Sequence, residues 1–307
     1  MKRRFKRLGA VALGMTFIVA ALAVGVPLWT SGPTIASWQP ESQIARDELS
    51  GVSEPQAAPS LKVMTLNLAH GRADGAHQAL LGREAIEENL DHVAAVLRRE
   101  QPAVVALQEA DGPSVWSGRF DQVKYVAEAG GYSHHFRGEH VKGLRLSYGT
   151  ALIARMPLAN TASQTFAPTP PTFSKGFVVG TFLWPLTDVQ VIVVSVHLDF
   201  ARRSVRESQI REMIDLLAGK GAPLIVMGDF NCRWTSREET IRTLAAELDL
   251  HAYEPTQDEP ATFPSTGNRL DWILISSELQ FVRHDVIADV LSDHRAVLAE
   301  IELVDGD

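Results

Sequence analysis

The chain has 307 residues, 45% of them apolar and 21% charged, with 22 Gly, 16 Pro and one Cys. These are ordinary globular proportions, and a single Cys excludes an internal disulfide and any cysteine-rich zinc or iron–sulfur centre. The net charge of −8 hides an asymmetry: Lys2, Arg3, Arg4, Lys6 and Arg7 stand before residue 30, and without them 24 basic residues face 37 acidic ones. A body that acidic repels a phosphate backbone at long range, which disfavours nucleic acid as a partner without excluding a local basic groove.

After the basic cluster, residues 8–29 form an uncharged, mostly apolar run. As a helix it would reach roughly 33 Å at 1.5 Å per residue, enough for a hydrocarbon core of about 30 Å. Positive charge just ahead of the run predicts a cytoplasmic N-terminus with the remainder exported. Residues 1–30 therefore read as a membrane anchor, with a signal peptide cut near Thr34-Ile35-Ala36 as the alternative. Lipoprotein anchoring is excluded, since no Cys follows the run. Residues 31–60, rich in Pro, Ser, Gly, Ala and Gln, read as a flexible tether.

From Leu61 short β-rich runs alternate with amphipathic stretches, which predicts one α/β domain over residues 61–307. Leu61–Leu66 alternates as a strand. Glu84–Gln101 sets Ile86, Leu90, Val93 and Leu97 at helical spacing and is closed by Pro102. Ala103–Leu107 is a buried strand. Further strands are expected at Thr150–Ala154, Gly176–Trp184, Val189–Val196, Leu224–Met227, Trp272–Ile275 and Ala296–Ile301. Ser204–Glu207 reads as a capping box opening a helix to about Ala218, and Ser236–Glu239 opens another with Ile241, Leu244 and Leu248 inward. His134, His135 and His140 lack ligand spacing and are expected on a surface loop; Cys232 is expected to pack.

Polar residues follow several of these strands directly: Asn67, Gln108-Glu109, His197, Asp229 with Asn231, Asp271, and Asp293-His294 just before the last strand. The segments Thr65-Leu66-Asn67, Leu107-Gln108-Glu109, Tyr148–Arg155, Ser195–Asp199, Gly228-Asp229-Phe230-Asn231, Arg269-Leu270-Asp271 and Ser292-Asp293-His294 resemble, in order, the motifs of the endonuclease/exonuclease/phosphatase superfamily. The resemblance spans roughly residues 61–303. It implies a four-layer α/β/β/α sandwich, two packed mixed β-sheets with helices outside, and phosphoester hydrolysis dependent on a divalent metal.

Residue chemistry agrees with that implication. Mg²⁺ prefers hard oxygen ligands and keeps several waters. Glu109 is the best single ligand, with Asn67 and Asp293 beside it, and Mn²⁺ is expected to substitute. Asp229 would orient and deprotonate the attacking water, while Asn231 and His197 would donate to the phosphoryl group. Asp271 would hold His294 in one tautomer and raise its pKa; transition-state stabilisation and general acid–base work both remain open for His294. Tyr148, Thr150, His70 and Arg72 are candidate substrate contacts, and Arg269 is expected to brace the loop before Asp271. The Arg202, Arg203, Arg206 and Arg211 run is a solvated helix face or, as the sharper alternative, a phosphate-steering patch. The reading is an exported, membrane-tethered phosphoesterase for a diester or monoester, lipid-linked or free, with the catalytic domain on the periplasmic or extracellular side and acting as a monomer. The alternative is an exported nuclease with the same active site, drawing a groove from Trp116, Arg119, Arg137, Lys142, Arg145, Arg233 and Trp234. Residues 110–147 and 156–175 are the expected specificity regions.

Overall fold

A computed structural model describes residues 59–75, 81–143 and 145–304. The anchor expected at residues 8–29, and residues 31–58 of the tether expected at 31–60, lie outside the described residues. Among the described residues no helix is long and apolar enough to cross a membrane.

The chain builds two sheets in turn and then closes the first. The opening residues supply β1 (Leu61–Asn67), helix α1 (Arg83–Glu100), β2 (Val104–Asp111), helix α2 (Gln122–Gly130), β3 (His134–Arg137), β4 (Val141–Lys142) and β5 (Ser147–Ala154). The second sheet takes β6 (Ala159–Thr165), β7 (Gly176–Leu183), β8 (Gln190–His197), β9 (Leu224–Asp229), β10 (Leu250–Ala252) and β11 (Asp271–Ser276), with helix α3 (Arg203–Leu217) after β8 and helix α4 (Thr240–Glu247) after β9. Strands β12 (Leu279–Val286) and β13 (Val297–Leu303) return to the first sheet. The orders are β12-β13-β1-β2-β5-β3, with β4 also on β5, and β10-β11-β9-β8-β7-β6.

Three apolar layers hold this together. Val63, Val104, Leu152, Phe182, Val193 and Ile273 pack between the sheets. Ile86, Leu90, Val93 and Leu97 of α1 seal the outer face of the first sheet, as their spacing predicts. Ile210, Met213, Ile241 and Leu244 seal the second. The result is the expected four-layer sandwich.

Helix starts depart from the expected capping boxes. No side chain caps α3, which begins at Arg203, one residue before the proposed Ser204 cap. The entry is instead organised by Asp199, whose Oδ1 accepts the backbone N–H groups of Ala201 (2.9 Å) and Arg202 (2.8 Å). Helix α4 begins at Thr240, so Ser236 lies ahead of it and takes the Glu238 N–H (3.2 Å).

Each sheet contains one parallel pair, and the two pairs end at the same rim. β1 runs parallel to β2 with Asn67 opposite Gln108, and β8 runs parallel to β9 with His197 opposite Asp229. β11 starts there too, with Asp271 opposite Asp229 in antiparallel register. Below the rim a buried polar chain links the sheets: the Thr65 hydroxyl donates to Gln108 Oε1 (3.2 Å), Gln108 Nε2 to Ser195 Oγ (3.1 Å), and Ser195 Oγ to the Leu107 carbonyl (3.0 Å). Buried polar groups satisfied in this way fix one register of sheet on sheet.

Candidate active site

The rim carries a cleft of about 400 Å³ lined by Asn67, Arg72, Glu109, His197, Asp229, Asn231, Asp293 and His294, with Phe200, Phe263, Thr266, Asn268 and Leu270 on its walls. The expected catalytic and metal residues, apart from fully buried Asp271, thus line one concavity.

Backbone geometry explains how Glu109 reaches it. The β2–β5 register slips between Leu107 and Ala110, and Glu109 has φ 47°. A bulge of this kind re-aims one side chain at the end of a strand. The Glu109 carboxylate then faces His70 Nε2 (3.3 Å), Lys175 Nζ (3.6 Å) and His197 Nε2 (4.0 Å). Burial opposes its ionisation, but His70, Lys175, His197 and Arg72 overcome that and hold the carboxyl below its usual range.

Gly228 serves Asp229. It has φ 154°, and a Cβ there would lie 2.0 Å from the Val196 carbonyl oxygen, so only glycine lets β9 run this close to β8. Asp229 is buried; its Oδ1 accepts the Asn231 N–H (2.9 Å) and its Oδ2 the Asn67 Nδ2 (3.1 Å). His197 Nε2 and His294 Nε2 lie 3.4 and 3.8 Å from the same Oδ2. Burial raises the Asp229 carboxyl, with His294 opposing it and Asp271 adding to it. His294 Nδ1 sits 2.8 Å from Asp271 Oδ2. Burial disfavours the His294 imidazolium, but the carboxylates of Asp271 and Asp229 prevail and lift it to about 10. Phe263 packs on the His294 ring at 4.7 Å between centroids.

Asn67 orients Asp229, and its own Oδ1 accepts the Ala69 N–H (2.9 Å). Asn231 has φ 51° and donates through Nδ2 to the Leu198 carbonyl (3.1 Å), which fixes its amide at the cleft edge. Asp293 pairs with Arg72. Arg269 braces its loop as expected, donating to the carbonyls of Tyr253, Glu254 and Gln257 and stacking on Trp272. Cys232 is buried and packs in the second sheet's outer core.

Several expectations need correction. Thr150 is fully buried and its hydroxyl bonds His140 (2.9 Å), so it offers nothing to a substrate. Tyr148 is 4% exposed and packs against His70, Trp116 and Phe173. His70, also expected to contact substrate, is buried instead, with Nδ1 2.7 Å from Asp111 Oδ1 and Nε2 on Glu109. Asp111 also accepts from Trp116 Nε1 (2.7 Å). His140 is no surface residue but lies at 1% exposure between Thr150 and Thr165, while His134 and His135 lie on β3. The basic run of α3 is largely consumed locally, Arg203 by Glu207, Arg206 by Glu238, and Arg202 by Asp199 and Thr172.

Two residues close to the rim are not among the strand-end polar groups read from the sequence. Asp111 stands two residues past Glu109, a same-face spacing that the bulge disguises. Lys175 stands just before β7, a lone charge ahead of an apolar strand, and lies 3.3 and 3.1 Å from His197 Nδ1 and Nε2. Burial and then Lys175 drive His197 well below the ordinary histidine range.

The family model of the Endonuclease/Exonuclease/phosphatase family matches residues 64–294. The chain belongs to this family. The match begins inside β1 and ends on His294, so it encloses every residue of the rim. A search of curated proteins finds no match. Among solved structures the chain resembles an endonuclease/exonuclease/phosphatase from Beutenbergia cavernae, at 21% identity and TM-score 0.61 over 80% of this chain and 72% of that one. The human Nocturnin catalytic domain with bound sulfate anion gives 22% and 0.61 over 81% and 96%. The mannosyl-6-phosphatase of Bacteroides thetaiotaomicron gives 19% and 0.60 over 80% and 100%. These likenesses establish the fold; the chemistry rests on the rim residues and the family.

The residues present suit a divalent cation. Glu109, ionised, and Asp293 both line the cleft and supply hard carboxylate oxygens, which is what Mg²⁺ takes before filling its shell with water and phosphate. Asp229, Asp271 and His294 also bring ligand atoms within 4.8 Å of one another. In that trio, however, His294 Nδ1 is already committed to Asp271, an arrangement for holding and moving a proton.

Proposed function

We propose that the chain is an exported, membrane-tethered, Mg²⁺-dependent phosphoesterase that acts as a monomer on a phosphodiester or phosphomonoester of a small or lipid-linked molecule. The observation that carries the chemistry is the Asp271–His294···Asp229 line, with Asn67 and His197 gathered at the same Asp229 oxygen. Burial gives Asp229 the basicity to accept a proton from a water that attacks phosphorus. His294, held as a donor by Asp271, faces the charge that develops on the phosphoryl oxygens. Asn231 flanks the same position. One P–O bond forms to the water oxygen as its proton passes to Asp229. The P–O bond to the leaving oxygen breaks, that oxygen taking a proton from solvent to depart as the alcohol. A cation held by Glu109 and Asp293, with Asn67 adjacent, would supply Lewis-acid polarisation of the phosphoryl group.

Substrate class is argued from charge. Of the side chains available to a nucleic-acid groove, Arg137 pairs with Asp121 and Glu139, Lys142 with Glu139, and Arg233 with Asp258. Trp116 and Trp234 pack into aromatic neighbours. With an acidic body and few uncommitted cations near the cleft, a small or lipid phosphoester is favoured, and the apolar N-terminal run would concentrate such an enzyme on lipid substrate. The test is parallel Mg²⁺-dependent hydrolysis of bis-p-nitrophenyl phosphate, phospholipid vesicles and supercoiled plasmid by the full chain. Turnover of lipid or small diester is expected; nicking of plasmid alone would replace this substrate class with nucleic acid.

A further inference from the structure

Lys175 is a lysine at 8% exposure with too few partners. An ammonium carries three donors, yet among the described residues its only hydrogen-bond partner is the His197 ring, and a neutral imidazole offers a single acceptor nitrogen. Its carboxylate neighbour, Glu109, stands 3.6 Å away, beyond the 2.7–2.9 Å of a charge-assisted hydrogen bond. Burying such a charge without full pairing is costly, and lysines are rarely buried this way for stability.

The position is nonetheless tightly specified. The Lys175 carbonyl accepts the Phe166 N–H (2.9 Å). At the next residue, a Cβ on Gly176 would lie 2.2 Å from the Gln164 carbonyl oxygen and 2.4 Å from His140 Nδ1. The chain is therefore pressed into the sheet where the lysine departs. Nζ ends up between Glu109 of the first sheet and His197 of the second, and both of these line the cleft. It is a cation aimed at the seam where the two sheets present the site, at the end of the stretch expected to set specificity.

We propose that Lys175 is a phosphoryl-binding residue, its ammonium donating to a non-bridging oxygen of the phosphate group that enters beside Glu109 and His197. A compact charge with three rotatable donors suits a phosphoryl oxygen, and its gain is largest as negative charge builds there. The inference rests on the phosphoesterase reading and adds to it a group outside the strand-end motifs.

The test compares the wild-type chain with Lys175→Met and Lys175→Arg, all full-length and with Mg²⁺. Inorganic phosphate binding is followed by calorimetry, kcat and KM on bis-p-nitrophenyl phosphate, and folding by thermal denaturation. Lys175→Met is expected to weaken phosphate at least tenfold and to lower kcat/KM by about 10²–10³, the scale of losing one oxyanion donor, without lowering Tm. Lys175→Arg should recover part of the binding. Phosphate affinity and kcat/KM both within threefold of wild type in Lys175→Met would overturn the proposal. Should Lys175→Met not fold, the ¹⁵Nζ signal of Lys175 in wild-type protein decides: it shifts on adding phosphate if the proposal holds and stays put if it does not. A wild-type chain that binds phosphate through Lys175 yet hydrolyses none of the esters refutes the phosphoesterase reading and leaves the anion site standing.

Discussion

Removing the imidazole of His140 should flatten the acid side of the stability curve. His140 is 1% exposed, its Nε2 2.9 Å from Thr150 Oγ1 and its Nδ1 3.3 Å from Thr165 Oγ1, with no carboxylate among these partners. Burial, then Lys175 and Arg137, depress its pKa to about 3. The sign follows from linkage. The unfolded chain protonates this histidine near pH 6.5 and the folded chain does not, so stability is intact above the unfolded value and is lost as pH falls. Between pH 7 and pH 5 one such group costs about 2 kcal/mol. For a domain of this size that is roughly 4–8 °C in Tm. His140→Gln keeps a side chain able to reach a threonine hydroxyl and removes the proton site. Thermal or urea unfolding at pH 7 and 5 should show wild type losing about 2 kcal/mol more than the variant. Equal losses would refute the reasoning, since the buried imidazole would then not be held neutral.

Other consequences concern the rim. Asp271→Asn keeps the shape but removes the charge that holds His294 as a donor; kcat should fall by about 10³–10⁴ with little change in KM, checked by steady-state kinetics on bis-p-nitrophenyl phosphate. Glu109→Gln should weaken Mn²⁺ binding by tenfold or more in calorimetry, and an unchanged isotherm would remove Glu109 from the cation site. Gly228→Ala has no room beside the Val196 carbonyl oxygen, and should lower Tm and abolish turnover together. Arg206→Ala strips the partner from partly buried Glu238, and urea unfolding should show a loss of about 3 kcal/mol.

The sequence carried the inner strands and little of the edges. β1, β2, β5, β7, β8, β9, β11 and β13 are flanked on both sides, and their apolar runs or alternation predict them. The strands that escaped prediction are β3, β4, β6, β10 and β12, all of them at sheet margins. With a neighbour on one side and partial burial, β6 reads Ala-Asn-Thr-Ala-Ser-Gln-Thr and β12 carries Arg283, His284 and Asp285, so no apolar period marks them. At the site, residues that terminate apolar strands were visible because a polar group after a buried run needs a reason. Lys175 and Asp111 were not, because their proximity to Glu109 is created by a bulge and by the stacking of one sheet on the other. His140 misled for a related cause: its partners come from β5 and β6, distant in sequence, and only three close glycine approaches at residues 138, 149 and 176 make space for the ring.

The central claim is that Asp229, steered by Asn67 and His197 and facing the Asp271–His294 pair, activates water against a phosphoester in a metal-dependent site. It is tested most directly by turnover of bis-p-nitrophenyl phosphate by the wild-type chain and Asp229→Asn, each with Mg²⁺ and with chelator. The account predicts Mg²⁺-dependent turnover that Asp229→Asn lowers at least a thousandfold while Mn²⁺ still binds. Turnover in Asp229→Asn near the wild-type rate, or wild-type turnover indifferent to chelator, would contradict it.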